Sequence, residues 1–148
     1  PQVHGVQRLL DAVLIQGQHK ARERGLSLTA EPTFAQARFD EKWTAEALYN
    51  LVDNALKYTP QGGKVALSVR EFELFCAIQV EDNGPGIPER EQGAIFGRFY
   101  RGEAVRDQEG LGIGLYLARE VVTREGGYIR LNSSPGQGSR FSLYLPKE

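Results

Sequence analysis

Asn50-Leu51-Val52-Asp53-Asn54-Ala55-Leu56-Lys57-Tyr58 sorts its side chains onto two sides of a helix. At 100° per residue, Asn50, Asn54 and Lys57 fall within about 60° of arc. Leu48, Leu51, Val52 and Ala55 point the opposite way, so this helix must lie on a core. Two neutral amide oxygens one turn apart suit a hard cation such as Mg²⁺, and the amine suits an anion beside it. A metal next to a bound phosphate chain meets both demands. An ordinary amphipathic helix with Asn and Lys on its solvent face meets them equally well, and the helix alone leaves both readings open.

Working outward, the chain has 148 residues, enough for one domain with a proper core and too few for two comfortable ones. The expectation is a single domain over 1–148. Net charge is −1, without a basic block or a periodic Lys/Arg stripe, which argues against nucleic acid as a partner. Arg98 and Arg101 form only a mild basic cluster. Cys76 is the sole cysteine, which rules out an internal disulfide and a cysteine-based metal site and fits a reduced cytosolic setting. No apolar run approaches the ~20 residues a membrane span needs, so no membrane contact by this chain is expected. Pro1-Gln2-Val3-His4 is no signal peptide, and a start at Pro1 suggests a fragment of a longer polypeptide.

The flanking segments alternate between helix and strand. Val6 to Arg24 has helical spacing through Leu9, Leu10, Val13 and Leu14, with Gly25 as a stop. Leu26 to Thr29 and Ala37 to Phe39 read as short strands around a turn at Glu31-Pro32. Asp40 is a good N-cap for the Asn-bearing helix, which ends near Tyr58-Thr59-Pro60. Val65, Leu67 and Val69 alternate with polar residues, as do Leu74, Cys76, Ile78 and Val80, which predicts a hairpin. A glycine-spotted, weakly periodic stretch runs from Asn83 to Gly110. Gly114 to Arg124 is helical and ends at Gly126-Gly127, and Tyr128–Asn132 with Ser139–Leu145 closes the chain as a second hairpin. Helices and antiparallel hairpins in one domain give the α+β class, a two-layer sandwich with helices on one sheet face.

Three glycine-bearing segments add chemistry. In Asp82-Asn83-Gly84-Pro85-Gly86-Ile87-Pro88, the glycines let backbone approach a ligand, and Asp82 is placed to accept from an exocyclic amine such as adenine's. Such a bond is worth about 1.5–3 kcal/mol, enough to select a base. Taken alone, Asp-Asn-Gly-Pro favours a tight turn merely capped by the aspartate. Glu109-Gly110-Leu111-Gly112-Ile113-Gly114-Leu115 opens a helix, where free N–H groups and the helix dipole hold phosphate oxygens. It is neither a Walker loop nor a dinucleotide loop, and a plain hinge reads as well. Ile95-Phe96-Gly97-Arg98-Phe99-Tyr100-Arg101-Gly102, followed by a polar run to Glu109, has the makings of a lid anchored by aromatics. Arg101 at its mouth could reach outer phosphates.

All four segments in this order resemble the catalytic and ATP-binding domain of bacterial two-component sensor histidine kinases. That family shares a superfamily with DNA gyrase, the heat-shock chaperone and the mismatch-repair ATPases. Asn50-x-x-x-Asn54-Ala55-x-Lys57-Tyr58-Thr59-Pro60 is similar to its asparagine box, and Asp82-x-Gly84-x-Gly86 to its first glycine box. Phe96-x-x-Phe99-Tyr100-Arg101 resembles the phenylalanine box, and Gly110-x-Gly112-x-Gly114-Leu115 the second glycine box. Gly136-x-Gly138-Ser139-x-Phe141, closing on Leu145-Pro146, resembles the usual final strand.

The resemblance implies a Bergerat-type sandwich of about five strands in a mixed sheet with three main helices. It implies that Asp82 reads the adenine amine with Ser139 helping through a water, that Tyr58 packs on the ring, and that Gly84, Gly86 and Ile87 line the base. Asn54 and Asn50 would hold Mg²⁺, Lys57 and Arg101 would meet the phosphates, and Gly110, Leu111, Gly112 and Gly114 would supply backbone donors. The catalytic set so implied is Asn50, Lys57 and Arg101. Its hydrolysing members carry Glu where this chain has Asn50. An amide takes no proton, so the histidine-kinase reading gains over an ATPase or serine kinase. The implied partners are a histidine-containing dimerisation domain of the same parent chain and a response-regulator receiver domain, with the domain facing the cytoplasm beneath a membrane sensor. His4, followed by Gly5 and read as a disordered end, and His19, followed by Lys20 and read as solvent-facing, lack the His-Glu or His-Asp setting of the family's phosphoacceptor. The alternative is a nucleotide-gated interaction module of the same fold that transfers no phosphate.

Overall fold

The apolar stripe of the Asn-bearing helix meets the apolar face of the hairpin in the structure, a computed structural model that describes residues 1–97 and 114–148. In chain order the elements are β1 (Gln2–Gly5), α1 (Gln7–Glu23), β2 (Ser27–Ala30), β3 (Gln36–Phe39), α2 (Glu41–Tyr58) and β4 (Lys64–Glu71). They continue with β5 (Phe75–Asp82), the single-turn α3 (Glu89–Gln92), α4 (Gly114–Arg124), β6 (Tyr128–Ser133) and β7 (Ser139–Pro146). A five-stranded sheet runs β2-β4-β5-β7-β6, antiparallel except for the parallel β2–β4 pair, and a small second sheet joins β1 to β3. The α+β sandwich with three main helices expected from the sequence is the observed architecture.

Period-2 patterning decides which sheet face is buried. Val65, Leu67, Cys76, Ile78, Val80, Phe141, Leu143 and Leu145 form one continuous apolar face. Against it, α2 buries Ala47, Leu48, Leu51, Val52, Ala55 and Leu56. Leu9, Leu10 and Val13 of α1 join this core from one side, and Ala118 and Val122 of α4 from the other. Truncating any of the leucines would open a cavity worth about 2–5 kcal/mol. Across the opposite sheet face lie Phe75, Tyr128 and Tyr144, with Tyr128 and Tyr144 stacked at 4.4 Å and Arg130 over both. Ala77, Gln79 and Ser142 on this face are also buried.

Three expectations need correction. The segments either side of Glu31-Pro32 do not pair with each other: β2 adds to β4, and β3 pairs with β1. The β2–β4 ladder persists through the Glu31 N–H, which donates to the Leu67 carbonyl at 2.9 Å, and Pro32 has no N–H with which to turn back into a ladder. His4 is ordered in β1 opposite Ala37, its ring 5.2 Å from that of Phe39 and Nδ1 3.4 Å from the Glu41 carboxylate. Leu74, counted in the alternation of β5, precedes that strand and is exposed. His19 does face solvent, 3.0 Å from Glu23.

Two caps fix α2. The Asp40 side chain accepts from the Trp43 N–H at 2.8 Å, as its position in the sequence predicts. Glu125, just beyond α4, accepts from the Asp40 N–H at 2.8 Å and from the buried Thr44 hydroxyl at 2.7 Å. A carboxylate at a helix N-terminus also gains from the dipole, so this contact lashes the end of α4 to the start of α2. Thr44→Val removes the hydroxyl and keeps the shape. It should cost about 1–2 kcal/mol in urea denaturation, and an unchanged midpoint would refute the lashing role.

Candidate nucleotide site

The apolar face of the sheet ends in a polar row. Strand register sets Val65, Asp82, Ser139 and Ser133 side by side on the helix-facing side of β4, β5, β7 and β6. Asp82 Oδ1 accepts from the Gly84 N–H at 2.9 Å. Burial pushes its carboxyl above the usual carboxylate range, opposed in part by the backbone N–H groups of Gly84 and Ser139. A half-buried carboxylate with spare acceptor capacity is suited to a polarised N–H.

Beside it, Ser133 Oγ accepts from the Ile87 N–H at 2.8 Å and donates to the Gly138 carbonyl at 2.9 Å. Its one proton is thereby used, so the Ser139 hydroxyl, 2.9 Å away, is the donor between the two. Ser139 then presents only lone pairs to a further group, the arrangement that receives an O–H from a bridging water. Gln92 Nε2 ties the same region together by donating to the carbonyls of Ile87 (2.9 Å) and Ser133 (3.0 Å). Glycine is required where the backbones nearly touch: a Cβ on Gly86 would lie 2.2 Å from the Ser134 carbonyl oxygen.

The end of α2 closes over this row. A Cβ on Gly84 would sit 3.4 Å from Tyr58 O and from Thr59 Cα, so the asparagine-box helix and the Asp82 turn are direct neighbours. Thr59 Oγ1 is buried there without a partner among the described residues, an atom that a water or ligand could satisfy. Asn50, Asn54 and Lys57 are half-buried on the face of α2 away from the core. Gly114, the first residue of α4, abuts Asn50, with its Cβ position 3.8 Å from Asn50 Cγ. The structure thus brings Asp82, Gly84, Gly86, Ile87 and Ser139 together at the sheet end, with Tyr58 adjoining, and sets Gly114 against Asn50. Lys57 is turned toward Asp53, its Nζ 3.3 Å from Oδ2.

Arg98, Phe99, Tyr100, Arg101, Gly110, Leu111 and Gly112 lie outside the described residues, and with them the expected lid. Its aromatic foot lies within: Ile95 is buried, and Phe96 meets Phe141 edge-on at 6.0 Å with the Arg119 guanidinium 5.9 Å from its ring. Among the described residues no cluster of three His, Cys, Asp or Glu could hold a metal. Two half-buried asparagine amides fit Mg²⁺ bound mainly through phosphates and water, the usual manner for that ion. A shallow hollow of about 240 Å³ at the same sheet end is lined by Asp82, Ser133 and Ser139 of the polar row together with Glu81, Asn132 and Arg140.

Sequence reasoning missed Ser133, Gln92 and Asp53. Ser133 becomes visible only through the β6–β7 register opposite Ser139, and Gln92 only through a fold that returns α3 to β6.

Residues 39–148 match the family of histidine kinase-, DNA gyrase B-, and HSP90-like ATPases, and the chain belongs to it. Membership in an ATPase family implies nucleotide binding by this domain. The chain is 40% identical over 122 residues to the sensor protein DivL of Caulobacter vibrioides, covering 82% of this chain and 15% of DivL. It is 35% identical over 140 residues to the sensor protein kinase PmrB of Pseudomonas aeruginosa, covering 94% of this chain and 29% of PmrB. Among solved structures, the mycobacterial sensor histidine kinase MprB superposes with a TM-score of 0.86 at 27% identity, covering 98% of this chain and 97% of that one. The chain thus spans less than a third of the length of DivL and PmrB. No described helix is long and apolar enough to cross a membrane.

Proposed function

We propose that residues 1–148 form a single catalytic domain that binds Mg-ATP and donates its γ-phosphoryl group to a histidine on a separate dimerisation domain of the same parent chain. The observation supporting this most directly is the polar row at the end of an apolar sheet face, closed by the asparagine-box helix in a chain of this ATPase family. In this reading Asp82 accepts the adenine amine and Ser139 accepts from a bridging water. Tyr58 packs on the ring beside Gly84, Gly86 and Ile87. Asn50 and Asn54 supply amide oxygens to Mg²⁺, which when bound neutralises charge on the phosphate oxygens. Lys57 and Arg101 meet the phosphates, and Gly110, Leu111, Gly112 and Gly114 donate backbone N–H groups.

Phosphoryl transfer asks chiefly for positioning and charge neutralisation. Asn50 offers no base, which suits an acceptor imidazole that brings its own nucleophilic nitrogen. Neither His4, packed on Phe39 in β1, nor His19, paired with Glu23, stands as that acceptor. A response-regulator receiver domain takes the phosphoryl group next, and the domain works on the cytoplasmic side of a membrane sensor.

The test mixes the protein with a purified dimerisation domain and γ-labelled ATP. Label on a histidine is the expected result; ATP binding without label favours the nucleotide-gated module. Arg101→Ala should slow transfer about tenfold or more with little change in ATP affinity, read by single-turnover kinetics. A loss confined to affinity would contradict that role.

A further inference from the structure

Behind the asparagine-box face lies an ion cluster that the nucleotide roles leave unexplained. Asp53 precedes Asn54 and stands one turn before Lys57 on α2, half-buried, with its carboxylate shared by two amines. Lys20, reaching across from α1, donates to Oδ1 at 2.5 Å, and Lys57 Nζ lies 3.3 Å from Oδ2. Arg24, just past the end of α1, donates through Nη2 to the Lys57 backbone carbonyl at 2.9 Å. The end of the first helix therefore grips Lys57 both through its main chain and through its ion-pair partner.

An unpaired carboxylate at this point would hold the one amine of the asparagine box that the anion needs. Lys20 takes up one carboxylate oxygen in the tighter of the two contacts, leaving Lys57 the longer one. We propose that Lys20 is a positioning residue: by neutralising Asp53 it lets the Lys57 amine exchange that carboxylate for the phosphate chain, so the α1–α2 ion pair sets how strongly the site prefers a nucleoside triphosphate to the bare nucleoside. This rests on the reading that Lys57 meets the phosphates. Lys20 itself touches no nucleotide.

The test measures ATP and adenosine binding to the full chain by calorimetry. Lys20→Gln should lower ATP affinity about fivefold, the size of a partly exposed ion pair, and leave adenosine affinity unchanged. Lys20→Arg should restore ATP affinity. Adding Asp53→Asn to Lys20→Gln should also restore it, because the competing carboxylate is gone. In a Lys57→Gln background, Lys20→Gln should have no further effect, which separates action through Lys57 from a general loss of positive charge. An unchanged ATP-to-adenosine ratio, or a loss that persists without Lys57, would overturn the inference while leaving the nucleotide site intact. Failure of the unaltered protein to bind ATP would overturn both.

Discussion

Asp82→Asn should weaken ATP binding by about 1–3 kcal/mol, roughly 5- to 150-fold, without loosening the fold. The variant keeps an amide oxygen to accept from the Gly84 N–H but loses the charge that strengthens a bond to the adenine amine. Stability should move the other way. Burial raises the Asp82 carboxyl above its ordinary 3.8, so the folded state disfavours the ionised form. A raised folded-state value means a contribution fully present below the ordinary value and lost as pH rises through the raised one. Relative to the Asn variant, the unaltered protein should therefore lose stability with rising pH just above the ordinary carboxylate range. At pH 7 the variant's denaturation midpoint should match or exceed it. Calorimetry with ATP and denaturation across pH 4–8 check both halves, and a midpoint that falls along with affinity would show Asp82 to be only a turn cap.

That opposition between stability and binding marks where the sequence could be read and where it could not. The core was legible because period 2 in Val65–Val69 and Cys76–Val80 and period 3.6 in Leu48–Leu56 each demand a buried face. Those faces can only meet one another. Asp82 was legible as a strand-end carboxylate, and Asn50, Asn54 and Lys57 as one helical face. The β1–β3 pair was not, since four residues at a chain end carry too little pattern and the pairing spans more than thirty positions. Nor was the parallel joining of β2 to β4, which depends on α2 crossing between them rather than on a local turn. Within the site, Ser133 and Asp53 escaped for a related reason. Each acts through a partner on another element, Ser139 across a register and Lys20 across a helix pair, and no spacing along the chain encodes such meetings.

Two neighbouring glycines should separate backbone strain from collision at the same turn, and the second has the larger effect on the fold. Gly136 and Gly138 share the left-handed conformation, with φ of +79° and +80°. A Cβ on Gly136 meets nothing within 4 Å, whereas on Gly138 it would lie 2.1 Å from the Asp82 carbonyl oxygen and 3.1 Å from Asn83 Cα. Gly136→Ala should thus cost only the conformational penalty, about 1 kcal/mol. Gly138→Ala must in addition drive backbone from backbone, since no flexible side chain is there to yield, and about 3 kcal/mol or more is expected. The displaced atoms belong to the Asp82–Ser139 register pair, so the carboxylate and hydroxyl of the polar row would part. ATP affinity of the folded Gly138→Ala protein should accordingly fall, while that of Gly136→Ala holds. Urea denaturation and calorimetry on the two variants decide the matter. Equal midpoints would mean that the close approach of β7 to the Asp82 turn is not what holds this end of the sheet in place.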